Sequence, residues 1–255
     1  YGGRDSFDEM IEPFKNSGHE FWVAPGASCW ATSFPYIDNY IKNIANFARD
    51  AERHGAKGII NTAWDDYGET MFNSTWHAMI WCAETSWNTL KSNDESERLK
   101  REEVFNENLN IQYFNVNRQQ STDKNRDQQL TQNYMSNLYE LNKLIDEGDT
   151  RNVMNFQTLN EPLLEFFESQ VDSAARAKND FYKEKSFEIY KTLLQDRSEL
   201  DVNTEIIEMG ILAAYRAYVT TLKNELKINL YNTLQNPTED NIATSKQMSE
   251  QLLDS

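Results

Sequence analysis

Basic charge is scarce in this chain beside acidic charge. Twenty-five Lys and Arg stand against 41 Asp and Glu, a formal net charge of −16 over 255 residues. A phosphate backbone would be repelled, which disfavours any nucleic-acid role and leaves neutral or cationic small ligands as the better fit. Cysteine is nearly absent. Cys29 and Cys82 are too few and too far apart for a disulfide framework or a zinc site, and read as two thiols near the core. His19, His54 and His77 do not cluster, so each reads as a surface or core-edge residue before it reads as a ligand. No apolar run approaches the ~18 residues of a membrane span, so none is expected. Nothing resembles a Gly-rich phosphate loop, and no metal or organic cofactor is expected.

Tyr1-Gly2-Gly3 does not resemble a signal peptide. The opening reads as a cut edge, and Gln251-Leu252-Leu253-Asp254-Ser255 stops in mid-pattern. The expectation is part of a longer protein, with the compartment left open. Glycine and tryptophan are scarce only in the later part. Seven of the nine glycines lie at or before Gly68, and all six tryptophans at or before Trp87. This shift predicts a boundary near residue 92, with Lys91-Ser92-Asn93-Asp94-Glu95-Ser96 as connector, segment 1–92 before it and segment 93–255 after it.

The first segment alternates two periodicities. Phe7, Met10, Ile11 and Phe14 predict a helix over Asp5–Asn16. Glu20–Ala24 reads as a strand closed by Pro25-Gly26. Ile37, Ile41, Ile44, Phe47 and Ala48 predict an amphipathic helix over Ile37–His54, stopped by Gly55. Lys57–Ala63 is the second predicted strand and Ser74–Trp87 the next helix, an α-β-α-β-α order that signals a parallel α/β sheet. The second segment reads as all-α. Helices are predicted over Asp127–Ile145, Asp172–Gln195 and Asn203–Leu234, the last carrying a stripe from Ile207 to Leu230 that suits a bundle core. Pro162 suits the first turn of a helix, and Asn106–Arg126 reads as an extended or loosely ordered crossing. Two parallel strands alone leave unpaired edges and an open apolar face. Either the helical segment covers them, or further strands lie upstream of Tyr1.

The most informative stretch is Gly58-Ile59-Ile60-Asn61-Thr62-Ala63-Trp64-Asp65-Asp66-Tyr67-Gly68. An apolar run ends in an aromatic ring, two carboxylates and a tyrosine, where parallel sheets bind their ligands. An indole that stacks on a sugar's C–H face beside a carboxylate that accepts from its hydroxyls is a common way to hold a carbohydrate. Asp65 points away from Asp66 if the strand continues, so one of the two faces a pocket. Other readings stand beside these. Trp64 also suits a core position, Asp66 a helix cap, and Glu84 an ion pair within its helix. Tyr67 and Glu69 have only proximity in their favour, and Trp22 and Tyr36 compete with Trp30 for a lining role. Asn73-Ser74-Thr75 matches a glycosylation acceptor by chance.

Phe21-Trp22-Val23-Ala24-Pro25-Gly26, Ser28-Cys29-Trp30, Asn43-Ile44 and Asn61-Thr62-Ala63-Trp64-Asp65-Asp66-Tyr67-Gly68, followed by Trp76, Ala83-Glu84 and Trp87, together resemble glycoside hydrolase family 20, in its bacterial β-N-acetylhexosaminidase branch. The resemblance covers about residues 7 to 90. It implies the end of a (β/α)8 barrel (about two strands), followed by a C-terminal helical bundle. It also implies an exported or periplasmic protein, and a retaining mechanism in which the substrate's acetamido oxygen attacks the anomeric carbon. The family's catalytic Asp-Glu pair would lie upstream of Tyr1 with the rest of the barrel, so no residue of this chain takes a catalytic role. By motif position Trp64 is similar to the aromatic floor of the sugar site, Trp30 to an aromatic wall, and Asp66 to the acid that binds outer hydroxyls. The family's more usual Glu is one methylene longer than Asp66.

Three functions compete on these grounds: the pocket-completing end of an exo-acting hexosaminidase with an N-acetylhexosamine-containing glycan as substrate, a non-catalytic sugar-binding module, and a helical interaction module.

Overall fold

A computed structural model describes residues 2–65, 70–114, 134–145, 153–155, 160 and 173–254. Acidic Asp8 and Glu9 open helix α1 (Asp8–Asn16), Lys15 lies in its last turn, and Ile11 is its buried contact. Strand β1 (Trp22–Val23) follows, then α2 (Ile37–His54), β2 (Gly58–Ile59), a 3-10 turn (Phe72–Thr75) and α3 (Trp76–Trp87). The predicted α-β-α-β-α order is the observed one, and α2 begins and ends at the predicted residues. Its stop has the predicted cause: Gly55 takes φ 81, and its N–H and that of Ala56 reach back to Glu52 and Ala51. The strands run parallel, Trp22 beside Gly58 and Val23 beside Ile59, and are shorter than the sequence pattern suggested.

The rest is helical among the described residues: α4 (Glu95–Gln112), α5 (Tyr134–Asn142), α6 (Ser173–Glu199), α7 (Glu205–Gln235) and α8 (Glu239–Asp254). The predicted crossing at Asn106–Arg126 needs correction, since residues 106–112 finish α4; residues 115–126 and Pro162 lie outside the described residues. Asp94 starts α4 by accepting from the Ser96 N–H, while Glu97 accepts from the N–H groups of Lys91 and Ser92. Helices α6 and α7 form an antiparallel hairpin tied by Lys183–Glu225 and Arg197–Glu208 ion pairs. The fold is thus a small parallel α/β unit followed by helices. One apolar cluster joins them, with Ile37, Ile41, Ile44 and Trp81 from the first segment in contact with a core that includes Phe105, Leu138, Leu193 and Ile207 from the second.

Among the described residues the sheet is covered on one face only. Val23 and Ile59 meet Phe7 just before α1, Ile11 of α1 and Ala51 of α2, with Phe7 stacked on Phe47 at 4.3 Å. On the other face Ala24 is exposed, and Trp22 and Ile60 are 60% and 57% exposed.

His77 departs from its predicted surface or core-edge position and lies in the core, 1% exposed. Asn106 donates its amide N–H to the Tyr139 hydroxyl, so its Oδ1 accepts from His77 Nε2–H at 3.0 Å, which leaves Nδ1 to accept from the Tyr40 hydroxyl at 2.7 Å. Tyr139 in turn donates to Glu102, itself paired with Arg98. The imidazole is therefore neutral and fully bonded, and burial pushes its pKa down to about 4 from 6.5. A histidine pKa depressed by folding contributes stability above its unfolded pKa, and that contribution is lost as pH falls from about 6.5 to about 4. The loss amounts to roughly 3 kcal/mol. Burial raises the Glu102 pKa, which acts in the opposite sense, so the H77Q variant is the needed reference. Urea denaturation from pH 7 to pH 4 should give a steeper fall for the wild type than for H77Q; equal slopes would refute the assignment.

Candidate functional site

Parallel strands deliver their carboxyl ends to the same edge of the sheet, and here both predicted aromatic residues follow such an end. The ladder extends past the strands through Gly26 and Thr62. Thr62 N–H donates to Pro25 O and Ala27 N–H to Thr62 O, both at 2.8 Å. The Thr62 hydroxyl adds a second bond to Pro25 O. The chain then leaves β1 through residues 27–36 and β2 through residues 63–65, with Thr70 the next described residue.

The first of these loops is held under strain. Ser28 and Ala31 take φ values of 50 and 54, the left-handed region that residues with a Cβ avoid, and they bracket Cys29 and Trp30. Several bonds over-determine this path. Tyr36 N–H donates to Ser28 O at 2.9 Å, and the Asn39 amide donates to the Ser28 hydroxyl at 2.6 Å. Thr32 bridges to Asn155, and the Ser33 N–H donates to Met154 O, so a stretch of the second segment backs the loop. Asn142 of α5 serves the same region. Its Oδ1 accepts from the Ile37 N–H at the start of α2, where Tyr36 offers no side-chain cap.

The second loop is fastened to the first. The Cys29 thiol donates to the backbone oxygen of Trp64 at 3.1 Å, and the buried Thr70 hydroxyl shares its proton between Cys29 O, at 2.7 Å, and Thr32 O. Trp64 is 50% exposed, which removes the core reading. Asp65 is exposed and Trp30 half-buried. Trp64 and Trp30 thus stand on two loops laced together at one end of the sheet. Asp66, together with Tyr67 and Glu69, lies outside the described residues. Glu84 does form an ion pair, with Arg101 at 3.5 Å, but the partner comes from α4 and the pair is half-exposed, so the interior pairing within its helix needs correction. Asn61 donates to Ala78 O of α3, while its Oδ1 is buried with no hydrogen-bond partner among the described residues.

The other charged cluster, Asp8, Arg53 and His54 around Asp50, lies at the opposite end of the sheet, at the end of α2 that leads into β2. The Arg53 guanidinium, helped by His54, holds the Asp8 carboxyl at about 2. Among the described residues no group of three or more His, Cys, Asp or Glu is disposed to hold a metal ion. No helix there is long and apolar enough to cross a membrane. Both cysteines are buried thiols, as read from the sequence. Compared with family models, with curated proteins and with solved structures, the chain matches none.

Trp22 shapes the open face below the site. Its indole lies across Gly58, so close that a Cβ there would fall 2.2 Å from ring carbon Cζ3. Gly58→Ala should lift the ring into water, with a red shift of tryptophan emission that vanishes in the Trp22→Phe background. An unchanged spectrum in G58A would contradict this contact.

Proposed function

We propose that this chain completes the sugar pocket of a retaining, substrate-assisted exo-β-N-acetylhexosaminidase, with the catalytic Asp-Glu pair and the remaining βα units supplied upstream of Tyr1. The observation that carries this reading is the half-exposed indole of Trp64 at the carboxyl end of β2, joined by the Cys29 thiol to the loop that bears Trp30. An indole so presented can stack on the apolar face of a pyranose or on an acetamido methyl, and a neutral sugar suits a chain of net charge −16. The sheet supports it as well. Helices cover one face, and the other is open and apolar, the arrangement that any two neighbouring units of a (β/α)8 barrel share. In this reading Trp64 is the floor of the pocket, Trp30 a wall, and Asp66 the acceptor for outer hydroxyls.

The intact polypeptide is expected to hydrolyse 4-nitrophenyl N-acetyl-β-glucosaminide. Trp64→Ala should lower kcat/KM about tenfold, the loss for removing a stacked ring worth roughly 1 to 1.5 kcal/mol. Turnover that is unchanged in W64A would sink the assignment of Trp64. An intact protein without turnover whose tryptophan emission still responds to N-acetylglucosamine through Trp64 would make this a non-catalytic sugar-binding module. Neither response would leave the helical interaction reading.

A further inference from the structure

We propose that Cys29 and Thr70 are positioning residues for Trp64, a thiol and a hydroxyl that clamp the two strand-end loops so that the indole is presented in one orientation. The inference rests on the reading of Trp64 as a sugar platform and names what would hold that platform in place.

The hydrogen bonds set the logic. Trp64 follows the last ladder contact of β2 at Thr62, so the parallel pairing no longer fixes its backbone. The Cys29 thiol, 1% exposed, donates to its carbonyl oxygen at 3.1 Å from across the loop gap. A thiol is a weak donor, but this one is buried and the bond it makes is partly shielded from water, which favours one backbone orientation at Trp64. Thr70, further along the chain, is fastened to the same loop. Its side chain is 5% exposed and reaches back across the gap to Cys29 O and Thr32 O. Trp64 is therefore enclosed in sequence between Thr62 and Thr70, both of which are bonded to the β1 side. The left-handed residues Ser28 and Ala31 carry the strain of bringing Cys29 to that position, against which the surrounding bonds hold the loop. The other buried thiol, Cys82, has a different setting: it lies within α3, with its Sγ 3.7 Å from the Ser86 hydroxyl.

The test uses chain labelled with 5-fluorotryptophan and fluorine NMR, with Trp64→Phe to assign the Trp64 signal. Cys29→Ala and Thr70→Val remove the donors, while Cys29→Ser and Thr70→Ser keep them. The expected result is a shifted or broadened Trp64 signal in C29A and T70V, with C29S and T70S close to wild type. Affinity for N-acetylglucosamine should fall about three- to tenfold in the first pair and recover in the second. Cys82→Ala should leave the signal in place. An unmoved Trp64 signal in C29A, or C29S and C82A behaving as C29A does, would overturn the proposal. If C29A fails to fold, the Thr70 pair decides alone by the same criterion. Should the wild type show no sugar binding while the signals still follow the donors, the clamp stands and the sugar reading of Trp64 falls.

Discussion

The carboxylate of Asp50 has no exposed surface, and much of the first segment is arranged to keep it paired. A buried carboxylate without partners would cost many kcal/mol, so the surrounding groups are committed once α2 forms. One oxygen accepts from the Phe7 N–H at 2.6 Å and the Ser6 hydroxyl, the other from Arg49 and Arg53. Arg49, buried in its turn, spends its remaining N–H groups on Asn46, Asp5 O and Ser92 O. The same face of α2 continues with Asn46 to Arg4 O, Asn43 to Gly2 O and Asn39 to the Gly3 N–H. A polar row on one helix thereby fixes residues 2–7 along its length, sets α1 over the sheet, and holds the turn that leads to α4.

That row ends at the candidate site. Asn43 accepts from the Gly26 N–H and Asn39 donates to the Ser28 hydroxyl, so the helix that buries Asp50 at one end holds the strained loop at the other. The helical segment adds support from outside, through Asn142 at the start of α2 and through Met154 and Asn155 along the loop. The left-handed backbone at Ser28 and Ala31 persists because these anchors leave the chain no relaxed alternative. Precision at Trp64 therefore depends on parts of the chain far from it in sequence.

The sequence reading succeeded where period and punctuation coincide. In α2, apolar residues repeat at helical spacing and Gly55 stands at the end, so both limits were legible. It failed where a helix is polar on most sides. Helix α4 buries Phe105 and Leu109 but exposes Leu99 and Val104, which blurs its apolar stripe; the Asp94-to-Glu97 capping pattern was the available signal and was read as a connector. Helix α8 buries only Ser245 and offered no stripe at all. At the site, the position of Trp64 and Trp30 at strand ends followed from the α/β alternation. Thr70 had no local signal, because its role arises from bonds to residues 38 and 41 positions away. His77 was misjudged for a similar reason: its partners Tyr40 and Asn106 come from two other helices.

The open face of the sheet bears on why so small a sheet persists. Two short parallel strands have little stability of their own, and here they gain it from α1 and α2 on one side and from the loop lacing at their carboxyl ends. The opposite face keeps Trp22 and Ile60 in contact with solvent, an arrangement that costs hydrophobic free energy unless something covers it. Trp22 meets part of that cost by lying on Gly58, where the missing side chain lets an indole approach the backbone. Register and strand-end loops are thus held from the covered side and from the carboxyl ends, and the indole of Trp64 stands beyond the end of β2 where that lacing is densest.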